Sequence, residues 1–193
     1  MSIRISAGFL LLFAWLNYLD HQWVLPWVML ACLIHEMGHY YAIVALGGRV
    51  KGITITAVGA EMEMEGNLSY GGEFLCALAG PVTNFLFAWG MCHVLPLFAG
   101  IHLALGLFNL IPLLPLDGGR GLQSLLCRFG SPILAERILE VSGGVIAIGI
   151  AGFGVLSLLE TGGVTLLVLG CWLVTKRVAD PLVKLSRNLQ NFN

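Results

Sequence analysis

The sequence predicts an all-α membrane protein of about six transmembrane helices, with a membrane-associated β-hairpin between the second and third. The 193-residue chain has a mean hydropathy of +0.87, and 58% of its residues are hydrophobic. Only 11% are Asp, Glu, Lys or Arg, against about 25% in a soluble domain. Its apolar residues also fall in runs of near-spanning length. A water-facing surface cannot be made from such a chain, so a single transmembrane domain over residues 1–193 is expected.

The runs are, within a few residues, Ile5 to Leu19, Trp23 to Leu46, Phe74 to Phe98, Ile101 to Leu116, Ile138 to Leu159 and Val164 to Val178. The second stops at Gly47-Gly48, a helix-ending pair. The first, fourth and sixth are short for an untilted helix crossing a core of about 30 Å. The first follows Arg4, as a signal peptide would. No small-residue cleavage site with a hydrophilic stretch after it follows, so it reads as a membrane helix.

Charge placement agrees with this division. Arg4, Arg49, Lys51, Arg120, Arg128, Arg137, Lys176, Arg177, Lys184 and Arg187 all fall on one side if both termini are cytoplasmic. That is the positive-inside pattern. Residues 179–193 then form a short cytoplasmic tail, with Leu182, Leu185 and Leu189 at helical spacing. The net charge of −1 gives no reason to expect a nucleic-acid partner. Five scattered cysteines with no CxxC read as small membrane-helix residues, not as ligands. The tryptophans read as interface or packing residues.

Residues 49–70 break the helical pattern. Ile53 and Ile55 alternate with Thr54 and Thr56, and Glu61, Glu63 and Glu65 with Met62 and Met64, around Gly59. Period two about a turn signal predicts a hairpin at the cytoplasmic interface. It is either an amphipathic ribbon on the headgroups or an exposed strand edge for an extended peptide.

The chemistry lies in the second and fourth runs. His35-Glu36-Met37-Gly38-His39 puts two imidazoles at i and i+4 on one helix face. Both can reach one Zn²⁺, with Glu36 beside them to take a proton from water. Ionisable groups in an apolar helix are costly unless compensated, and a cation compensates them. The fourth run ends Asn109-Leu110-Ile111-Pro112-Leu113-Leu114-Pro115-Leu116-Asp117-Gly118-Gly119. Its prolines oppose a regular helix. Asp117 lies at a depth compatible with His39, where it is either a third ligand or the N-cap of a helix starting near Gly118. His93 and His102 are lone residues on apolar runs, for which helix–helix hydrogen bonding is the default. His21 falls in an external loop.

The HExxH motif, the later N-x-x-P-x-x-P-x-D-G motif and Gly80-Pro81-Val82-Thr83-Asn84 together resemble the site-2 protease family of intramembrane metalloproteases. Their order resembles the bacterial sporulation-type branch. The resemblance covers about residues 30 to 125 through motifs. It implies one zinc per chain held by His35, His39 and Asp117, with Glu36 as general base. It implies that Asn84 and Asn109 either donate to the substrate backbone or oxyanion, or bond between helices. It favours the hairpin, with Thr54, Ile55, Thr56, Met62 and Met64, as a substrate-binding element. The implied partners are a transmembrane protein substrate and the lipid bilayer, with room for a regulatory membrane partner. The PDZ and C-terminal CBS domains of many relatives are not expected within these 193 residues.

The implied activity is hydrolysis of peptide bonds within or next to transmembrane segments, near the cytoplasmic face of a bacterial cell membrane. A metal transporter and a relative that binds membrane proteins without cutting them are the alternatives. Glu36 separates them from the protease: its place in HExxH is explained by water activation.

Overall fold

The computed structural model describes residues 2–56, 59–66, 68–161, 167–168, 170–171 and 174–175. In chain order these form β1 (Ser2–Ile5), α1 (Ala7–Leu19), α2 (Leu25–Ala45), β2 (Arg49–Thr56), β3 (Gly59–Glu65), α3 (Tyr70–Met91), α4 (Pro96–Asn109), α5 (Asp117–Phe129) and α6 (Pro132–Thr161). They fall into two compact units, Met1–Ala135 and Glu136–Asn193. Among the described residues, α2, α3 and α6 are long and apolar enough to cross a membrane, and α1 and α4 are shorter apolar helices. The expected sixth run and the tail from 179 lie largely outside the described residues.

Local sequence explains the helix ends. Ser6 caps α1 by accepting from Phe9 N–H at 3.1 Å. Ser69 caps α3 by accepting from Gly72 N–H at 3.2 Å. Between α1 and α2 the Asp20 carboxylate accepts from the backbone N–H groups of Leu25 (2.7 Å), Val24 (3.1 Å) and Gln22 (3.2 Å). Those donors, Leu25 first, hold its acid below the usual carboxylate range. Large apolar side chains stay uncovered along the helices, for example Leu11 at 74% and Trp89 at 80%. Water would penalise such exposure, whereas hydrocarbon does not.

Three features differ from the sequence expectation. The hairpin carries a third strand: the order is β1-β2-β3, with β1 parallel to β2 (Ser2 opposite Gly52, Ile5 opposite Ile55). Ile5 therefore ends a strand instead of opening a helix. Thr54 and Ile55 consequently lie on the central strand paired on both sides, and Thr56, at its end, pairs with β3 alone. Among the described residues the outer strands are β1 and β3, and Met62 and Met64 lie on the outer strand β3. The fourth run ends at Asn109, as its prolines require, and a turn through Pro112 and Pro115 leads into α5. Finally, α5 is an amphipathic helix that no apolar run marked.

In the first unit α3 packs against α2, α4 and α5. This puts α3 at the centre of the helices that carry His35, His39 and Asp117.

Candidate metal centre

The HExxH spacing does what i, i+4 geometry dictates. The His35 and His39 rings sit edge to face with centroids 4.8 Å apart. Their Nε2 atoms are 3.1 Å apart. Asp117 Oδ2 lies 3.0 Å from His35 Nε2 and 3.1 Å from His39 Nε2. His35 and Asp117 are buried, at 5% and 8% exposed. The site stands about 9 to 15 Å from the end of α2 at Ala45, at ~1.5 Å per residue.

Asp117 is the first residue of α5, but the capping position is Leu116 and no side chain caps the helix. The carboxylate is thus directed at the histidines. Its approach needs glycine beside it: a Cβ on Gly119 would stand 2.5 Å from the Leu113 carbonyl carbon and 2.6 Å from Leu114 N. Gly80 of α3 plays the matching part opposite. A Cβ there would stand 2.7 Å from His35 Cε1 and run into His39 Nε2.

The donor set fits a metal ion. Three ligand atoms face one another at 3.0 to 3.1 Å, close to the edge of about 3.3 Å in a tetrahedron with arms of 2.0–2.1 Å. Each imidazole is also held from behind. His39 Nδ1–H donates to the Cys76 carbonyl at 2.8 Å, which leaves its Nε2 lone pair facing the centre. His35 Nδ1 meets the Asn84 carboxamide at 2.9 Å. Asn84, fully buried, meets His102 Nδ1 at 3.0 Å with its other end.

Glu36 opens onto a cavity of about 340 Å³ that His39 and Asp117 also line. Ala60 N–H donates to Glu36 Oε1 at 3.4 Å. That contact orients β3. Backbone N–H groups of alternate residues point to the same strand edge, so the N–H groups of Ala60, Met62 and Met64 share the edge turned to Glu36. All three residues line the cavity.

The structure therefore brings together His35, Glu36, His39, Asp117, Met62 and Met64. Asn109 makes no hydrogen bond to His35, His39 or Asp117 among the described residues; its amide donates back to the Leu105 carbonyl at 3.0 Å within α4. For Asn84 it shows the interhelical hydrogen bond. His93 lies exposed in the turn between α3 and α4, outside both helices.

The bond from His102 to Asn84 is the helix–helix hydrogen bond expected of His102; the sequence did not identify Asn84 as its partner or the connection through it to His35. The available signal was the place of His102 on the buried stripe of α4 with Phe98, Ala99 and Gly106, where a polar side chain needs a partner.

Comparison with known proteins agrees. The family model described as Peptidase family M50 matches residues 86–151. A protein of Synechocystis sp. provisionally described as a zinc metalloprotease is 32% identical over 178 residues, covering 77% of this chain and 46% of that protein. Stage IV sporulation protein FB of Bacillus subtilis is 32% identical over 112 residues, 52% of this chain and 39% of that one. The chain thus spans less than half the length of these relatives. The structure of a site-2 protease from Methanocaldococcus jannaschii shares the fold, with a TM-score of 0.70 at 23% identity, over 92% of this chain and 89% of that one. With the apolar helices, these matches identify the chain as an integral membrane protein carrying a Peptidase family M50 (site-2 protease) domain.

Proposed function

We propose that the protein is an intramembrane zinc endopeptidase that cuts membrane-protein substrates within or beside their transmembrane segments. One observation carries this reading: His35, His39 and Asp117 converge on a point beside Glu36, at the wall of a cavity that a free strand edge also lines. His35, His39 and Asp117 would hold the zinc. When bound there, zinc supplies Lewis-acid polarisation of the scissile carbonyl and lowers the pKa of water. Glu36 takes the proton of the attacking water and delivers it to the leaving amine. The Ala60 N–H keeps the Glu36 carboxylate turned to the cavity.

A substrate helix hides its carbonyls in its own hydrogen bonds and has to unwind before attack. The β3 edge offers replacements through the backbone groups of Ala60, Met62 and Met64, by strand addition. Thr54, Ile55 and Thr56 act from behind, as the strand that holds β3 in place. Both termini are assigned to the cytoplasmic side with the sheet. The pairing of β1 with β2 supports this for the N-terminus.

The test is incubation of the purified, zinc-loaded chain with a panel of single-span substrates. Cleavage is expected; a broad panel left intact would favour the metal transporter or the non-cleaving relative. Strand addition makes a sharper prediction. Proline at position 62 removes an outward N–H and spares the β2–β3 ladder. Met62→Pro should slow cleavage about tenfold with zinc content unchanged, read by substrate turnover beside metal analysis.

A further inference from the structure

His102 is a buried histidine that the proposed chemistry does not use. It is 0% exposed, and among the described residues its Nε2 has no hydrogen-bond partner. Burying an imidazole with one nitrogen unpaired is costly, so something has to justify the ring. Its other nitrogen meets Asn84 at 3.0 Å, and Asn84 meets His35 at 2.9 Å. Phe87 stacks on the His102 ring at 5.1 Å, and Phe98 meets it edge-on at 4.5 Å. The ring is thus clamped with Nδ1 aimed at Asn84.

The protonation logic of this row is fixed by its ends. Asn84 Nδ2 faces His35 Nδ1 and donates to it, so His35 carries its proton on Nε2, toward Asp117. A metal at Nε2 demands the reverse: His35 has to carry its proton on Nδ1, facing an acceptor. A half-turn of the Asn84 amide supplies that acceptor without moving either neighbour. It then directs the amide N–H₂ at His102 Nδ1, which has to accept. A neutral histidine can do either, because it donates from Nδ1 in one tautomer and accepts there in the other. Both patterns contain the same protons, one on each ring.

We propose that His102 is a positioning residue for the metal: acting through Asn84, it sets His35 in the tautomer whose Nε2 lone pair faces the metal. This rests on the zinc reading above. The experiment compares zinc affinity, by competition with a chromophoric chelator in detergent, for wild type, His102→Phe and His102→Asn. Phenylalanine keeps the aromatic packing and removes the acceptor. Asparagine places an amide oxygen near the Nδ1 position and keeps it.

Loss of such an outer hydrogen bond weakens metal binding about 10- to 100-fold. His102→Phe should therefore lose at least about tenfold, and His102→Asn should stay within about threefold of wild type. The cobalt(II) visible spectrum should shift in the first variant only. Should His102→Phe fail to fold, His102→Leu gives the same comparison. Zinc affinity equal to wild type in the non-accepting variant would overturn the proposal. So would an equal loss in both variants, which would reduce His102 to a space-filling ring. A wild-type chain that takes up no zinc would instead overturn the zinc reading, and this one with it.

Discussion

Glu36→Gln should abolish cleavage and leave the metal in place. Gln keeps the size of the side chain and a partner for Ala60 N–H, 3.4 Å from Glu36 Oε1. It cannot take a proton from water. General-base catalysis contributes about 10²- to 10⁴-fold, so turnover should fall by at least about a hundredfold. His35, His39 and Asp117 are untouched, so zinc per chain should match the wild type. A Gln variant that cuts at near the wild-type rate would remove Glu36 from the reaction. One that loses its zinc would make Glu36 part of the metal site.

Gly80→Ala should have the second large effect, at a residue that touches no substrate. In an ordinary helix interior, alanine is favoured over glycine by about 1 kcal/mol. Here the added methyl would enter the space of both imidazoles, standing 2.7 Å from His35 Cε1. The rings have to turn aside or the helices have to part. Zinc affinity should fall at least about a hundredfold, more than for loss of one outer hydrogen bond. The chain should still fold in detergent, because the helix itself gains. Chelator competition beside a thermal melt reads both. Unchanged affinity would mean that α2 and α3 are not as close as the structure places them.

The cluster of His35, His39 and Asp117 was legible because each residue obeys a short-range rule. His35 and His39 follow helical periodicity, and Asp117 stands where prolines end the fourth run. What the sequence left open was whether Asp117 caps a helix or faces the histidines. Only packing decides that: Gly118 and Gly119 lie against the backbone of the preceding turn, and the capping position falls to Leu116.

The hairpin was legible from its period of two, but its free edge was not. The parallel partner β1 comes from residues 2–5, more than forty positions away in sequence, and Ile3 and Ile5 merge into the apolar run behind them. That pairing covers the outer edge of β2 and leaves β3 as the outer strand of the hairpin. Similarly, α5 escaped notice because an amphipathic helix with two glycines in its first turn carries no hydropathy signal. The Asn84–His102 link depends on α3 and α4 packing side by side, which no local pattern encodes.

The most direct test of the metal assignment is zinc K-edge X-ray absorption on the purified wild-type chain, with zinc quantified in the same sample. One zinc per chain in a shell of nitrogen and oxygen at about 2.0–2.1 Å, two of them imidazole and with no sulfur, is the predicted result. A sulfur shell near 2.3 Å would bring in a cysteine such as Cys76 beside the cavity, and would contradict the assignment of His35, His39 and Asp117. So would a chain that binds no zinc at all.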